Sequence, residues 1–493
     1  MKKKLIKNIT VINTTFTCQF IICLFYSALG QNFSYKIVDT GVLDFYNDSI
    51  LISIPDSLSE FYGQDGHYTG FEPYYTDNGN GTITDNVTEL VWQKTMGEKI
   101  SFTGALTKAD TMTLGGYTDW RIPTIKELYS LILFSGKIDG MIPDKLFIDT
   151  FYFNQALGDT TIGERLIDAQ TWSSTRYVGI TMNADTSIFG VNFTDGRIKA
   201  YPKYIPESNY TNVTQMYFRM VRGNTQYGVN KYINNGDGTI TDWATGLMWQ
   251  QSDDGTVRNW KEALAYAENL TLANYSDWRL PNAKELQSIV DYEKCPDITQ
   301  SPAIDSLFNC TMITDPDGNS GQYPYYWTGT THLESAENPY GSAVYIAFGE
   351  AQGKMNGKLM DVHGAGAQRS DPKTGNFLDY PQYFGPQGDV RYVYNYSRCV
   401  RNVSNISSLK AKKSSDLFQL YSNPYSAYYQ ISFYQKQISI RVESYDISGK
   451  KIKEYKASNT NTIEINLDSC PSGIFILKLF FEHYCFTTKV YKL

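Results

Sequence analysis

The strongest constraint on this chain is a ten-residue stretch that occurs twice. Residues 119–128 read Asp-Trp-Arg-Ile-Pro-Thr-Ile-Lys-Glu-Leu, and residues 277–286 read Asp-Trp-Arg-Leu-Pro-Asn-Ala-Lys-Glu-Leu. A recurrence of this length, which keeps both the bulky Trp and the Pro, indicates that a whole domain is duplicated. We therefore interpret the chain as two copies of one folding unit with additional segments.

Both copies of the stretch carry the signals that start a helix. Thr124 follows Pro123 and is suited to cap a helix, and Glu127 lies where a capping box places its carboxylate. Asn282 and Glu285 repeat this arrangement. We expect the Trp and Arg ahead of each helix to be structural anchors in the core, with each Arg buried or half-buried and paired with the Glu. The anchor residues are Trp120, Arg121, Glu127, Trp278, Arg279 and Glu285.

The repeat extends well beyond this stretch. Residues 78–85 match 235–242 as Asn-Gly-x-Gly-Thr-Ile-Thr-Asp, and Asn-Gly or Asp-Gly between alternating residues is a strong hairpin signal. A helical pattern, the anchor, a second helix and several short strands follow in each copy. The pattern predicts an α+β unit, with module one at residues 31–224, including an N-terminal extension, and module two at 229–403.

The first 30 residues predict an export signal. Four lysines lie among the first seven residues and precede a short apolar run, and the small residues Ala28 and Gly30 predict cleavage between Gly30 and Gln31. The run is too short to span a bilayer. We expect a mature chain without a transmembrane helix, secreted or at the cell surface.

Residues 417–493 form a separate unit after a polar linker at 404–416. Short runs alternate apolar and polar residues and are separated by turn sequences such as Pro471-Ser472-Gly473. This pattern predicts a small all-β sandwich.

The charge of the central part argues against polyanionic partners. Residues 31–409 contain 28 Lys and Arg against 44 Asp and Glu, a net charge of −16, and no basic run. Such a field repels DNA and RNA. Nucleic acid is therefore not an expected partner.

The sequence contains no recognisable catalytic motif. The four His are scattered without metal-ligand spacing, and no nucleophile elbow or phosphate loop occurs. The Asn-Gly and Asp-Gly turns carry oxygen ligands that would suit calcium, but they lack the bidentate Glu of an EF-hand. We predict that these turns are structural, and calcium binding is the alternative. We predict no enzyme activity and no cofactor.

Module two contains a longer loop than module one, in the Gly-rich region from Gly353 to Gly388. Long loops on rigid scaffolds commonly carry binding sites. His363, Arg369 and Asp371 in this loop are therefore candidate ligand-binding residues. The alternative is a hydrogen-bond network that stabilises the loop itself.

Most of residues 35–403 resemble tandem Lcl C-terminal domains. The resemblance rests on both Asn-Gly-x-Gly-Thr-Ile-Thr-Asp turns, both Asp-Trp-Arg-x-Pro stretches and the closing Arg-Cys-Val-Arg. The founding member of that family is an adhesin that recognises sulfated glycosaminoglycans, a ligand that the charge of −16 disfavours here. The resemblance also implies a disulfide between Cys310 and Cys399.

The anchor is also similar to a signature of the C-type-lectin-like domains of formylglycine-generating enzymes. That resemblance implies the fold class that we predict: α+β, with two tandem C-type-lectin-like modules and a small C-terminal all-β sandwich. It does not imply the enzyme activity, because that activity uses a pair of cysteines and module one contains none.

The tail resembles the C-terminal sorting domain of the type IX secretion system. Ser422-Asn423-Pro424, residues 445–450 and Pro471-Ser472-Gly473 carry this resemblance. It implies export across an outer membrane, with the type IX secretion machinery as a partner.

These observations together predict an exported, non-enzymatic binding or adhesion protein. Its expected partner is an extracellular glycan or protein, contacted through exposed aromatic and amide side chains. Two alternatives remain: an enzyme with a site in the 361–371 loop, and a structural component of a surface assembly.

Overall fold

The computed structural model describes residues 33–183, 186–204, 212–335, 337–403, 418–422, 428–446, 450–481 and 484–492. The predicted signal peptide (residues 1–30), its cleavage site at Gly30 and Gln31, and the predicted linker (404–416) lie outside these residues.

The described residues of module one form strands, two helices and two 3-10 turns, at Asp65–His67 and Thr160–Ile162. Its helices are α1 (Phe102–Thr111) and α2 (Ile125–Tyr129). Its strands are β1 (Phe45–Tyr46), β2 (Leu51–Ile52), β3 (Tyr75–Asp77), β4 (Thr82–Asp85), β5 (Leu90–Gln93), β6 (Lys137–Asp139), β7 (Ile142–Lys145), β8 (Gln170–Ile180), β9 (Thr186–Asn192), β10 (Arg197–Pro202) and β11 (Val221–Gly223).

The part of module two that the structure describes repeats this plan, with three short helices and a 3-10 turn at Phe377–Asp379. Its helices are α3 (Trp260–Asn269), α4 (Ala283–Ser288) and α5 (Pro296–Thr299). Its strands are β12 (Tyr232–Asn234), β13 (Thr239–Asp242), β14 (Leu247–Gln250), β15 (Ile313–Thr314), β16 (Ser320–Gln322), β17 (Tyr325–Glu334), β18 (Ser342–Ala347), β19 (Gln352–Met355), β20 (Lys358–Asp361), β21 (Gln368–Pro372), β22 (Tyr383–Phe384), β23 (Asp389–Val390) and β24 (Val400–Asn402).

Both copies open with the predicted hairpins. The first sheet has the order β11-β5-β4-β3, and the second consists of β12-β13-β14-β24. Gly79 and Gly236 in the turns adopt φ angles of 72° and 75°, which glycine tolerates best. The Asp77 carboxylate accepts a hydrogen bond from the Gly79 N–H at 2.9 Å, so this oxygen stabilises the turn.

The prediction of an α+β fold with C-type-lectin-like modules is wrong, because the structure is mostly β. Among the described residues the longest helices, α1 and α3, have ten residues each, and α2 has five. α2 ends at Tyr129, so the apolar residues Leu131 and Ile132 lie beyond the helix. After the helix, the Leu133 N–H donates to the Phe147 carbonyl at 3.0 Å and not to a carbonyl of α2.

The two modules share one eight-stranded sheet of order β7-β6-β17-β18-β21-β10-β9-β8. Strands β17, β18 and β21 come from module two and lie between strands of module one. Ile198 of β10 pairs with Gln368 of β21, and Leu333 of β17 pairs in parallel with Lys137 of β6. The modules are therefore joined by backbone pairing at two places.

An approximate two-fold relation also joins the short helices that follow the anchors. Lys126 of α2 donates to the Ser288 carbonyl at 2.7 Å, and Lys284 of α4 donates to the Ser130 carbonyl at 2.8 Å. Burial lowers the pKa of Lys126 to about 8 and that of Lys284 to about 7. The duplicated lysines thus hold the copies to each other.

The N-terminal extension leaves module one and lies on module two. We name residues 39–71 the cover segment. This long loop is closed at its ends, where the Asp39 N–H donates to the Phe71 carbonyl at 2.8 Å. Ahead of it, the Tyr35 N–H donates to the Ala244 carbonyl of module two at 3.2 Å. The extension therefore contacts the second copy, while its Thr40 carbonyl also accepts from the Phe134 N–H of module one at 2.8 Å.

The tail is an antiparallel sheet of five strands with the order β25-β26-β28-β29, in which β27 pairs with β26. Its core contains Phe433, Val442, Ile465, Leu477 and Leu479. The strands are β25 (Phe418–Ser422), β26 (Tyr428–Asp446), β27 (Lys451–Asn466), β28 (Gly473–Phe481) and β29 (Tyr484–Lys492).

The predicted disulfide between Cys310 and Cys399 is wrong, because both are free thiols. Arg398 Nη2 lies 3.3 Å from Cys310 Sγ, so the Arg398 side chain faces Cys310. Successive side chains of an extended segment point to opposite sides. Cys399 accordingly lies in the separate core around Trp260, where burial raises the pKa of its thiol.

Candidate functional site

The anchor tryptophans occupy equivalent places in the two cores. Trp120 and Trp278 are buried, and their indole N–H groups donate to the carbonyls of Leu114 and Leu272, each at 3.2 Å. They position the arginines that follow them in the chain.

Arg279 and Glu285 form a bidentate pair in module two. The Arg279 Nη1 and Nη2 atoms each lie 2.6 Å from a different Glu285 oxygen, and Glu285 also accepts from the Asn282 N–H at 2.9 Å. Burial acts to lower the pKa of Arg279, but the Glu285 carboxylate raises it above the ordinary value. The capping box and the ion pair therefore share one carboxylate.

Module one contains the same pair in different surroundings. Arg121 Nη1 and Nη2 lie 2.6 and 2.5 Å from the Glu127 oxygens. The Arg121 side chain is 31% exposed, whereas that of Arg279 is 9% exposed. The difference comes from what lies above each arginine.

In module two, the cover segment lies on the anchor. The Tyr68 ring centroid lies 5.1 Å from Arg279 Cζ, and the Tyr68 hydroxyl donates to Glu268 of α3. The Asp65 carboxylate accepts from the Thr330 hydroxyl at 2.6 Å. An aromatic ring and a carboxylate of the chain's own N-terminal extension thus occupy this surface.

The cover segment fits this surface closely. A Cβ atom added at Gly63 would lie 2.6 Å from a Glu268 oxygen, and one added at Gly329 would lie 3.2 Å from the Asp65 nitrogen. The Phe61 ring lies 6.2 Å from Trp260. Glycine on both sides permits the close approach.

In module one, the equivalent surface forms the wall of an open cleft of about 1500 Å³. The wall is built from α1, the anchor and β8, and the far side includes residues of module two such as Tyr292. We name this space the module-one cleft. Residues of its near wall are Leu106, Asp110, Arg121, Thr175, Arg176 and Val178.

Equivalent positions show the effect of the cover. Leu106 is 39% exposed, whereas Leu264 at the matching position of α3 is 1% exposed. Thr175 is half-buried and Thr330 is buried. The module-one cleft is therefore the uncovered counterpart of the surface that the cover segment occupies.

Charges of both signs line the near wall. Asp110 corresponds to Glu268 and is exposed. Arg176, which replaces Thr331 of module two, is exposed with Cζ 5.6 Å from the Phe102 ring. Besides the Arg121–Glu127 pair, the near wall thus offers an accessible cation and an accessible carboxylate, and the far wall adds the carboxyl groups of Asp291, Glu293 and Asp305.

The docking of the cover segment is expected to weaken as the pH rises. Burial, and then the charge of Asp39, raises the pKa of Asp65 to about 7, while hydrogen bonds from Thr330 and Thr40 act in the opposite direction. A raised carboxyl pKa contributes stability that is full below its ordinary value of about 4. This contribution is lost as the pH rises through about 7. The amide hydrogen-exchange rate of residues 61–68 should therefore increase between pH 5 and 8 by more than the intrinsic pH dependence of amide exchange.

Asp65→Asn provides the control for this prediction. Its amide does not titrate, so the additional acceleration should disappear while Thr330 keeps a partner. An equal pH dependence in both proteins would contradict the assignment to Asp65.

The three candidate ligand-binding residues of the 361–371 loop lie in the interior. His363 Nε2 is 2.9 Å from an Asp389 oxygen, and Arg369 pairs with the other Asp389 oxygen. Asp371 accepts from the Asn395 amide at 3.1 Å. Burial lowers the pKa of His363 to about 3 and raises that of Asp371 to about 7. Their contacts are those of an internal network.

A second, smaller pocket lies on module two. It has a volume of about 460 Å³ and is lined by Tyr325, Tyr392, Tyr394 and Tyr396, with Asn395 beside them. Within the described residues, no group of three or more His, Cys, Asp and Glu side chains is arranged to hold a metal ion.

Four residues of the cleft were not predicted from the sequence: Leu106, Asp110, Thr175 and Arg176. Thr175 and Thr330 occupy matching places after the Trp of β8 and β17, so alignment of the copies does identify this hydroxyl. The sequence around each anchor does not show which of the two surfaces is covered, because this depends on where residues 39–71 pack.

The fold and the cleft define a duplicated, β-rich protein with an additional all-β domain at its C-terminus. The chain belongs to the Lcl C-terminal domain family, whose profile matches residues 81–222 and 238–363, more than half of the chain. Residues 419–492 match the secretion system C-terminal sorting domain. A search of the curated proteins found no match to this chain. The predicted family, internal repeat and sorting tail are confirmed.

The sorting domain indicates type IX secretion to the cell surface or beyond, which confirms the predicted location and the secretion machinery as a partner. None of the helices in the described part of the chain has the length and hydropathy needed to cross a membrane.

Proposed function

We propose that this exported protein is a non-enzymatic binding or adhesion protein, and that the module-one cleft takes its extracellular partner. The observation that supports this proposal is the unequal covering of two equivalent surfaces. The cover segment fills the surface around Arg279, while the surface around Arg121 is open. Large exposed concave surfaces with convergent polar groups are common binding sites.

The tyrosine pocket of module two favours a glycan as a second candidate ligand. Aromatic faces with hydroxyl and amide groups beside them suit neutral sugars. Tyr394 is half-buried and its hydroxyl donates to the Gly375 carbonyl at 3.1 Å, so the ring is held at the pocket. In this version of the proposal the protein is a lectin.

Both versions are tested with the mature chain on arrays of neutral and acidic glycans and of acidic, neutral and basic peptides. Leu106→Glu combined with Val178→Glu places two carboxylates in the cleft without touching the core, since both side chains are exposed. We expect this variant to lose binding at least about tenfold. Tyr394→Ala should weaken binding only if a glycan in the tyrosine pocket is the ligand.

Ile162→Glu is the matched control, because Ile162 is an exposed apolar residue of module one that does not line the cleft. It should bind as the parent does. The cleft proposal fails if the double variant also binds as the parent does. The whole proposal fails if no probe binds above an unrelated acidic protein, or if the bound probes are chemically altered by the metal-replete protein.

A further inference from the structure

We infer that the partner of the module-one cleft is an acidic, aromatic peptide segment of another protein, with an aspartate three residues ahead of a tyrosine. This inference rests on the proposed binding role of the cleft and specifies its ligand. The template is the cover segment, in which Asp65 and Tyr68 present this spacing to module two.

The groups that hold Asp65 in module two are also present in module one. The Thr330 hydroxyl accepts from the Ala283 N–H at 3.0 Å and donates to Asp65. The Thr175 hydroxyl accepts from the Ile125 N–H at the same distance of 3.0 Å. Its proton is therefore available to donate to a carboxylate that enters the cleft.

The groups that hold Tyr68 are present as well. Arg121, fixed by Glu127, offers the guanidinium over which an aromatic ring can lie, as the Tyr68 ring lies over Arg279. Asp110 offers a carboxylate at the place of Glu268, which accepts from the Tyr68 hydroxyl. A tyrosine three residues after the aspartate therefore meets the same pair of contacts.

Two differences indicate a partner protein and not a second copy of the cover segment. Ser174 replaces Gly329, where an added Cβ atom would lie 3.2 Å from the Asp65 nitrogen, so an identical segment fits less closely. Arg176 replaces Thr331 and adds an exposed cation. The near wall is thus suited to a related segment that carries a further acidic residue facing Arg176, on the side away from Asp291, Glu293 and Asp305 of the far wall.

The probe that tests this inference is a fluorescent peptide of residues 59–70, titrated into the mature chain and followed by anisotropy. The cover segment is tethered to module two, so its effective concentration of about millimolar keeps a micromolar peptide from replacing it. We expect weak binding to the parent and at least fivefold tighter binding to Ser174→Gly. Asp65→Ala, which removes the acceptor, or Tyr68→Ala within the peptide should each weaken binding to Ser174→Gly at least fivefold.

Thr175→Val locates the site, because valine keeps the shape and removes the donor. It should weaken binding to the Ser174→Gly protein, whereas Thr330→Val should not. The inference is overturned if the peptide does not bind Ser174→Gly, if Thr330→Val alone weakens binding, or if a basic peptide binds equally well. If one of these results is obtained and the Leu106→Glu, Val178→Glu double variant still loses binding on the arrays, the binding role of the cleft stands. Only the identification of the partner as this class of peptide is then rejected.

Discussion

Replacing Arg279 by Ala is expected to destabilise the protein by about 3–5 kcal/mol, because it strands a buried carboxylate. Glu285 would keep only its capping contact with the Asn282 N–H at 2.9 Å, under a cover segment that excludes water. Chemical unfolding of the mature chain measures this loss, and binding to module one should persist at concentrations where the variant is folded.

Arg121→Ala provides the matched comparison within the same chain. Its guanidinium pairs with Glu127 at similar distances, but the side chain faces the open cleft. Water that enters the vacated space solvates Glu127, so we expect a loss of about 1–2 kcal/mol. Equal losses for the two variants would contradict the role assigned to the cover segment. A variant at Arg279 that unfolds like the parent would refute the structural role of that arginine.

Replacing Arg398 by Met is expected to cost about 3–5 kcal/mol, because it removes three donors from buried carbonyls. Arg398 is fully buried and donates to the carbonyls of Gln250, Gln251 and Asn309 at 2.9, 2.7 and 2.8 Å. Methionine fills much of the same volume and offers no N–H group, so all three oxygens lose the guanidinium, and the Gln251 carbonyl keeps only the Asn309 N–H at 2.9 Å. The unfolding free energy of the mature chain is the measurement.

Arg219 makes the equivalent contacts in module one, with the carbonyls of Gln93, Lys94 and Asn154 at 2.8, 2.7 and 3.0 Å. Arg219→Met should therefore show a loss of similar size. Arg441→Met in the tail serves as a control, because its side chain is 43% exposed and should cost less than about 1 kcal/mol. A small loss at both buried positions would show that these arginines are dispensable for the fold.

Local features of this fold could be predicted from the sequence because their partners are close in the chain. The hairpin turns at Gly79 and Gly236 and the capping boxes at Thr124 and Asn282 each depend on residues two to six positions apart. The same is true of Arg279 and Glu285, which are six residues apart.

Long-range features could not be predicted. The pairing of Ile198 with Gln368 joins strands whose patterns fit many partners, and no local signal selects one. The predicted α+β class was wrong because the capping signals at Thr124 and Asn282 show where a helix begins but not how soon it ends. The cleft was missed for a related reason, since its openness depends on where the cover segment lies.

The cover segment also affects the order in which the chain can fold. Asp65 and Thr330 are 265 residues apart, and Lys284 donates to the Asp39 carbonyl over a separation of 245 residues. Contacts of such high sequence separation raise the contact order and slow folding. During synthesis, Phe61 and Tyr68 have no docking surface until α3, the second anchor and β17 have been made. The N-terminal extension is therefore expected to dock after both modules have formed. Until then its aromatic side chains are exposed to solvent, and they make an incomplete chain prone to aggregation.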